Sequence, residues 1–296
     1  MAVVNTNVNA TVAQNALVRN ERQMNTAMER LSTGQRINGA KDDAAGLAIS
    51  SRMTSQIRGL EVGVRNANDA ISMISVADGA LVEVTNMLQR MRELALQSAN
   101  GTTTAADRTY LNTEYVNLIA EIERIATQTQ WNGRNILDGA ANATGDTTVA
   151  FQVGANGGQT ISVNFGNISQ DSGSGTTAFE VFEQSGTLAA GAGISATTTA
   201  AALTTAASAV VEIDSAITAV NSQRATYGAA INQLTYAIDN LSSVKVNAEA
   251  SRSRILDTDY AIETSELART QIIQQAGTAM LAQANQLPQT VLSLLQ

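Results

Sequence analysis

Apolar residues recur at both ends of the chain with a seven-residue period. Val3, Ala10, Leu17, Met24 and Leu31 are spaced seven apart, with Met28 at an intermediate position. The pattern stops at Gly34–Gly39 and resumes beyond Asp42–Asp43, two acids suited to cap and charge a helix N-terminus. Met53, Ile57, Leu60, Val64, Ala67, Ile71, Ile74, Leu81 and Leu88 then follow in steps of four, three and seven, with Asp78 and Thr85 as interruptions. This spacing predicts one helix over about 44–98, roughly 80 Å long at 1.5 Å per residue, ended by Ser98–Thr104. Leu111, Tyr115, Leu118, Ile122 and Ile125 predict a third helix, stopped by Trp131-Asn132-Gly133. Toward the C-terminus the seam is stricter. Val210, Ile213, Ile217, Val220, Tyr227, Ile231, Leu234, Ile238, Leu241, Ala248 and Ile255 hold it across more than six heptads, with Arg224, Lys245 and Arg252 as its polar positions. A last helix after Asp257 carries Ile262, Ile273, Ala276, Met280, Leu287, Val291 and Leu294 on one side, with a kink expected at Pro288. Seams this long require partner helices packed knobs into holes.

The middle of the chain has a different period. Thr147–Val153 and Gln159–Phe165 alternate apolar and polar residues around Gly154–Gly158, which predicts a β-hairpin. Residues 167–199 are rich in Ser, Thr, Gly and Ala with little periodicity and read as an exposed loop or a very small excursion. The expected fold is mainly α: a long antiparallel coiled-coil bundle built from the N- and C-terminal arms, with a small β-hairpin between them.

Charge sharpens this division. The 296 residues carry a net charge of −8, yet no base lies between Arg134 and Arg224, where Asp138, Asp146, Asp171, Glu180, Glu183, Glu212 and Asp214 stand. The arms are therefore nearly neutral and the middle acidic, an arrangement unsuited to phosphate contacts and hence to nucleic acid. There is no Cys and no His, which removes thiolate nucleophiles, imidazole acid–base catalysis and the usual zinc sites. No run of 18 consecutive apolar residues suggests a membrane span, and the first 30 residues lack the apolar core of a cleaved secretory signal.

The close acid pairs Asp42/Asp43, Glu121/Glu123 and Asp257/Asp259 are the candidates for carboxylate chemistry. They fall at helix starts or on polar faces with no accompanying pocket signal, so capping and solvation explain them, and no enzyme, metal or cofactor is expected. Arg90, Arg92 and Glu93 form a charged stretch near the end of the long helix, with Arg90 and Glu93 spaced to pair.

Five separated motifs carry a resemblance over nearly the whole chain. They are Leu31-Ser32-Thr33-Gly34 with Arg36-Ile37-Asn38; Ala40-Lys41-Asp42-Asp43-Ala44-Ala45-Gly46-Leu47-Ala48-Ile49; Leu88-Gln89-Arg90-Met91-Arg92-Glu93-Leu94-Ala95; Gln130-Trp131-Asn132-Gly133; and Ser253-Arg254-Ile255-Leu256-Asp257-Thr258-Asp259-Tyr260-Ala261-Ile262-Glu263 with the closing Val291-Leu292-Ser293-Leu294-Leu295. The chain resembles bacterial flagellin, departing from it at Gly39, where Ser is common, and at Trp131, where Phe is usual.

That resemblance implies a self-assembling subunit of the flagellar filament, exported without a cleaved signal peptide, for which the absence of Cys is suitable. It implies an inner domain over 1–42 with 256–296, an outer bundle over 43–166 with 200–255, and a short variable segment at 167–199. Inner-domain assembly would fall on Leu17, Met24, Leu31, Ile273, Met280, Leu287, Leu292, Leu294 and Leu295. Gln89, Arg90, Arg92, Glu93, Leu94 and Glu114 match the surface used for subunit stacking and read by the toll-like flagellin receptor of hosts. The implied partners are further copies of the chain, an export chaperone on the C-terminal arm, the filament cap and hook-associated junction proteins, and a host inflammasome sensor; nucleic acid and membrane are not among them. Ser172, Ser174, Thr176 and Thr177 are positions where glycans would be accepted. Two alternatives share part of the pattern: a hook–filament junction protein, and a chemoreceptor-like signalling coiled coil, which the hairpin and acidic middle disfavour.

Overall fold

The computed structural model describes residues 7–142, 145–168, 194 and 199–294, with side chains described for all but 199–203 and 287–294. Among these residues are five helices: α1 (Val8–Thr33), α2 (Ala44–Ser98), α3 (Ala105–Gln128), α4 (Thr199–Leu256) and α5 (Tyr260–Leu294). The strands are β1 (Gln130–Trp131), β2 (Arg134–Asn135), β3 (Thr148–Gln152) and β4 (Thr160–Asn164). The chain divides into two compact units, one reaching up to Ile57 and resuming at Lys245, the other being Arg58–Val244.

In the first unit, α1 begins where the Asn7 side chain accepts from the Ala10 amide (3.1 Å) and ends at Gly34 in the left-handed conformation. The chain then runs antiparallel to the link between α4 and α5. The Arg36 amide donates to the Leu256 carbonyl (2.7 Å), and the Thr258 amide donates to that of Gly34 (3.0 Å). Buried Ile37 anchors this crossing. Asp42 accepts from the amides of Asn38 and Gly39, and Asp43 from that of Gly46 (2.9 Å), so the acid pair starts α2. Asp259 plays the same part for α5 by accepting from the Ala261 amide (2.9 Å). The helical path of α5 continues through Pro288 to Leu294.

In the second unit, the bundle core is built from Leu81, Leu88, Met91 and Leu94 of α2, Tyr115 and Ile122 of α3, and Ile213, Val220, Tyr227 and Leu234 of α4. The apparent interruptions of the α2 seam are explained here. Ala77 and Val84, one residue earlier, are the buried positions, and Asp78 stands beside them, accepting from Nε of Arg224 on α4 at 2.9 Å. The polar break at Asp78 thus meets the polar break at Arg224. An 18-residue window of α2 reaches a mean hydropathy of 1.3, enough by length and composition for a membrane span, although one third of that window is buried within the protein.

Arg108 is buried at the α2–α3 turn and donates to the carbonyls of Ser98 (3.1 Å) and Asn100 (3.3 Å), capping the end of α2 from the next helix. A capping box joins Thr104 and Asp107 at the start of α3. After α3, Asn132 (φ 50°) and Gly133 (φ 76°) turn β1 into β2, a hairpin that the Asn-Gly pair could have signalled. The expected hairpin is β3–β4, registered Phe151 against Ile161 and Val149 against Val163. It lies directly on α2. Asn66 Nδ2 donates to the Gln152 carbonyl (2.9 Å), and a Cβ at Gly63 would stand 2.4 Å from the Val153 oxygen. Phe165 continues into the core, its ring 5.7 Å from that of Tyr227, whose hydroxyl donates to the Phe165 carbonyl (2.7 Å).

Candidate functional site

Two side-chain constellations stand out, one in each unit. In the first unit, α1 and α5 pair antiparallel: Asn7 Nδ2 donates to the Ala284 carbonyl (2.8 Å) and Asn20 Nδ2 to that of Thr270 (2.8 Å) and to Gln274 Oε1 (3.1 Å). Arg30 Nη1 meets buried Glu263 at 2.9 Å. Arg30 lies in the last turn of α1 and Glu263 in the first turn of α5, so each charge also suits its own helix dipole.

The pairing face mixes apolar residues with small and polar ones. Ala13, Leu17, Asn20, Met24, Ala27 and Leu31 of α1 are buried or half-buried, as are Glu263, Leu267, Thr270, Gln274, Gly277, Leu281 and Ala284 of α5. Gly277 admits the Leu17 side chain, which would come within 2.6 Å of a Cβ placed there. Of the sequence-selected residues, Leu17, Met24 and Leu31 therefore share this seam, whereas Met28 is exposed and Ala27 takes the intermediate step.

Other large apolar residues of α5 stay open to solvent. Ile262, Ile273 and Met280 are 65%, 41% and 68% exposed. They follow one another at spacings of eleven and seven, which keeps them on one face of a helix. Beside them a groove of about 470 Å³ opens between the two helices, walled by Val12, Ala16 and Leu17 of α1 and by Ile273, Gly277 and Met280 of α5. Leu287, Leu292 and Leu294 continue the sequence of α5, but their side chains lie outside the described set; Leu295 and the candidate glycan positions Ser172, Ser174, Thr176 and Thr177 lie outside the described residues altogether.

In the second unit, Arg90 donates through Nη1 to Glu93 (2.9 Å) and through Nε to Glu114 on α3 (2.9 Å). Arg92 holds Asp214 of α4 with two nitrogens at 2.6 and 3.3 Å. Hydrogen bonding and charge from these carboxylates, Glu114 first, raise the Arg90 guanidinium above its ordinary pKa, and Arg92 holds the Asp214 carboxyl below its own. All five side chains are open to solvent, so the pairs add little stability. What they do is hold charges at set positions across three helices. Gln89 is exposed beside them. Leu94, grouped with this surface by sequence, is 0% exposed and belongs to the core beneath it. Asp214 was legible only as part of the acidic middle, because nothing local links it to a base 122 positions away.

The remaining acid pairs act structurally. Glu121 is held by Arg124 (2.8 Å), and Asp257 accepts from the Ser253 hydroxyl (2.6 Å).

Comparison with known proteins accounts for both ends of the chain. Residues 4–142 match the family described as bacterial flagellin N-terminal helical region, and residues 210–295 match the bacterial flagellin C-terminal helical region. The chain is 43% identical to a flagellin of Halalkalibacterium halodurans, covering 99% of this chain and 100% of that one. It is 41% identical to the flagellar filament 33 kDa core protein of Treponema phagedenis, with the same coverage. With flagellin A of Vibrio cholerae it shares 39% identity over 99% of both chains.

Proposed function

The chain belongs to the bacterial flagellin family and is a structural subunit of the flagellar filament, and we propose that its copies join through the apolar face of α5 and the adjoining α1–α5 groove. The family is one of structural proteins, and its filament is an extracellular assembly that serves motility. One observation carries the proposal: Ile262, Ile273 and Met280 stay largely exposed, the last two on the wall of the α1–α5 groove, although the pairing of the two helices is already completed by Leu17, Met24, Asn20, Thr270, Gln274 and an ion pair. A helix pair that satisfies its own seam and still leaves large apolar side chains outside is built to be covered by another chain. A second copy is the occupant because the relatives are filament proteins. The inner domain is assigned to 1–42 with 256–296, and the outer bundle to 43–166 with 200–255, leaving 167–199 as the variable segment.

The test is a pair of measurements on chains lacking residues 292–296 and, separately, on Ile273→Asp. Each leucine lost from an intersubunit contact forfeits about 1.5–3 kcal/mol per subunit, which moves an assembly equilibrium by orders of magnitude. Seeded polymerisation followed by pelleting should fail for both variants, while melting of the second unit stays as in the wild type. Normal pelleting of both would overturn the proposal.

The exposed charges of Arg90, Arg92, Glu93 and Glu114, with Gln89, support a second role in subunit stacking and in recognition by the toll-like receptor of hosts. Arg90→Ala should lower receptor-reporter activation without altering the melting of the monomer. An export chaperone and an inflammasome sensor on the C-terminal arm, contacts with the cap and hook-associated junction proteins, export without a cleaved signal, and glycans on Ser172–Thr177 complete the reading.

A further inference from the structure

Sulfur in this chain is confined to eight methionines, since there is no cysteine to react first. They differ sharply in access. Met73 and Met91 are buried, Met24, Met53 and Met87 are half-buried, Met28 is 51% exposed, and Met280, at 68%, is the most exposed of the described methionines. Met280 is also the one that combines high exposure with a place on the groove wall, next to Ile273 and across from Val12. Access makes its thioether reactive, while the apolar groove depends on its remaining a thioether.

We propose that Met280 is an oxidation site that sets the assembly competence of the free subunit. Hydrogen peroxide is the co-reactant. The sulfur lone pair attacks one peroxide oxygen; an S–O bond forms as the O–O bond breaks. The departing hydroxide takes the proton from the new S–OH group and leaves as water, so sulfur loses two electrons and peroxide gains them. The product is a polar sulfoxide, better matched to solvent and to the groove-edge amides of Asn9 and Gln283 than to an apolar partner side chain. A copy that must cover it binds less tightly. Within a polymer the same sulfur is covered, so sensitivity belongs to the subunit before assembly and is lost afterwards. This inference rests on the reading that a second copy occupies the groove.

The experiment uses full-length monomer and preformed polymer, each exposed to graded peroxide, with peptide mass spectrometry at every methionine and pelleting to measure the critical concentration. In the monomer Met280 should oxidise ahead of Met73 and Met91, and the critical concentration should rise about tenfold or more, returning to its original value after treatment with the two methionine sulfoxide reductases that between them reduce both epimers. In polymer Met280 should be protected. Met280→Leu should polymerise as the wild type does and ignore peroxide, while Met28→Leu stays sensitive. Equal loss of assembly in peroxide-treated Met280→Leu and wild type would overturn the proposal, as would an unoxidised Met280 beside an oxidised Met28. Met280→Gln without peroxide separates the two levels. Normal polymerisation of that variant would refute the groove reading itself, whereas a block there with no peroxide effect on the wild type would refute the oxidation site alone. Circular dichroism of each monomer distinguishes lost assembly from lost folding.

Discussion

Alanine at Gly63 and alanine at Gly79 are the same change in the same helix, yet they should shift stability in opposite directions. In the interior of a helix, Ala is favoured over Gly by about 1 kcal/mol, and nothing lies within 4 Å of a Cβ placed at Gly79. Gly79→Ala should therefore stabilise the second unit by about 0.5–1 kcal/mol. At Gly63 the new Cβ would stand 2.4 Å from the Val153 oxygen and 2.9 Å from its carbonyl carbon. These are backbone atoms of the hairpin, so no rotamer change relieves the overlap and the hairpin must lift by about 1 Å to restore ordinary van der Waals contact. Overpacking of this kind costs about 1–3 kcal/mol. The lift also stretches the 2.9 Å bond from Asn66 Nδ2 to the Gln152 carbonyl, whose loss costs about 1 kcal/mol. Set against the helix gain, the net is a destabilisation of about 1–3 kcal/mol, or a fall of roughly 3–10 °C in the melting temperature of a unit this size. Gly59→Ala, facing the Cβ of Ala155 at 3.0 Å and its Cα at 3.1 Å, should fall between the two. Calorimetric melting orders the three variants, and hydrogen exchange at Val153 reports the hairpin directly. If Gly63→Ala melts at or above the wild type, the hairpin does not rest on α2 as described.

Two buried tyrosines make a similar pair. Tyr227→Phe removes the 2.7 Å bond to the Phe165 carbonyl and should destabilise by about 1–1.5 kcal/mol in urea unfolding. The Tyr115 hydroxyl is buried without a hydrogen-bond partner among the described residues, and burial pushes its pKa up, so Tyr115→Phe should be neutral or stabilising by up to about 1 kcal/mol; a large loss would mean the hydroxyl is satisfied. Arg108→Met keeps the aliphatic stem but strips the Ser98 and Asn100 carbonyls of their donor, with an expected loss of about 2–3 kcal/mol in the same assay. Acid should also destabilise the fold. Asp214, Glu121 and Glu266 are held below their ordinary values by Arg92, Arg124 and Arg269, and Asp107 by hydrogen bonds from Thr104. Between the folded and unfolded pKa values the unfolded chain binds more protons, so this stability is complete above the unfolded values and lost as pH falls through the folded ones. The melting temperature should be level above about pH 6 and decline below about pH 4.5, less steeply in Arg92→Gln, and a rise on acidification would contradict the assignment.

The sequence by itself determined the long helices, the acid caps at Asp42–Asp43 and Asp259 and the β3–β4 hairpin, because each rests on a local pattern: a seven-residue apolar repeat, an acid at a helix start, alternation around Gly154–Gly158. Family membership was legible for the same reason, since its motifs are contiguous. What only the tertiary structure decided was which face of each helix meets which partner. A heptad reading selects the largest apolar residues, so it chose Met28, which is exposed, as the intermediate step of α1. The α1–α5 seam keeps Leu17, Met24 and Leu31 but between them runs through Ala27, Asn20, Thr270 and Gly277, where small or hydrogen-bonding side chains let two helices approach closely. Leu94 shows the same limit from the other side: it sits one residue from exposed Glu93 in the chain, yet the 100° turn per residue carries it from the charged surface into the core. Arg92 with Asp214 and Arg224 with Asp78 join residues more than a hundred positions apart, and no local rule selects one distant charge over another until the helices are packed.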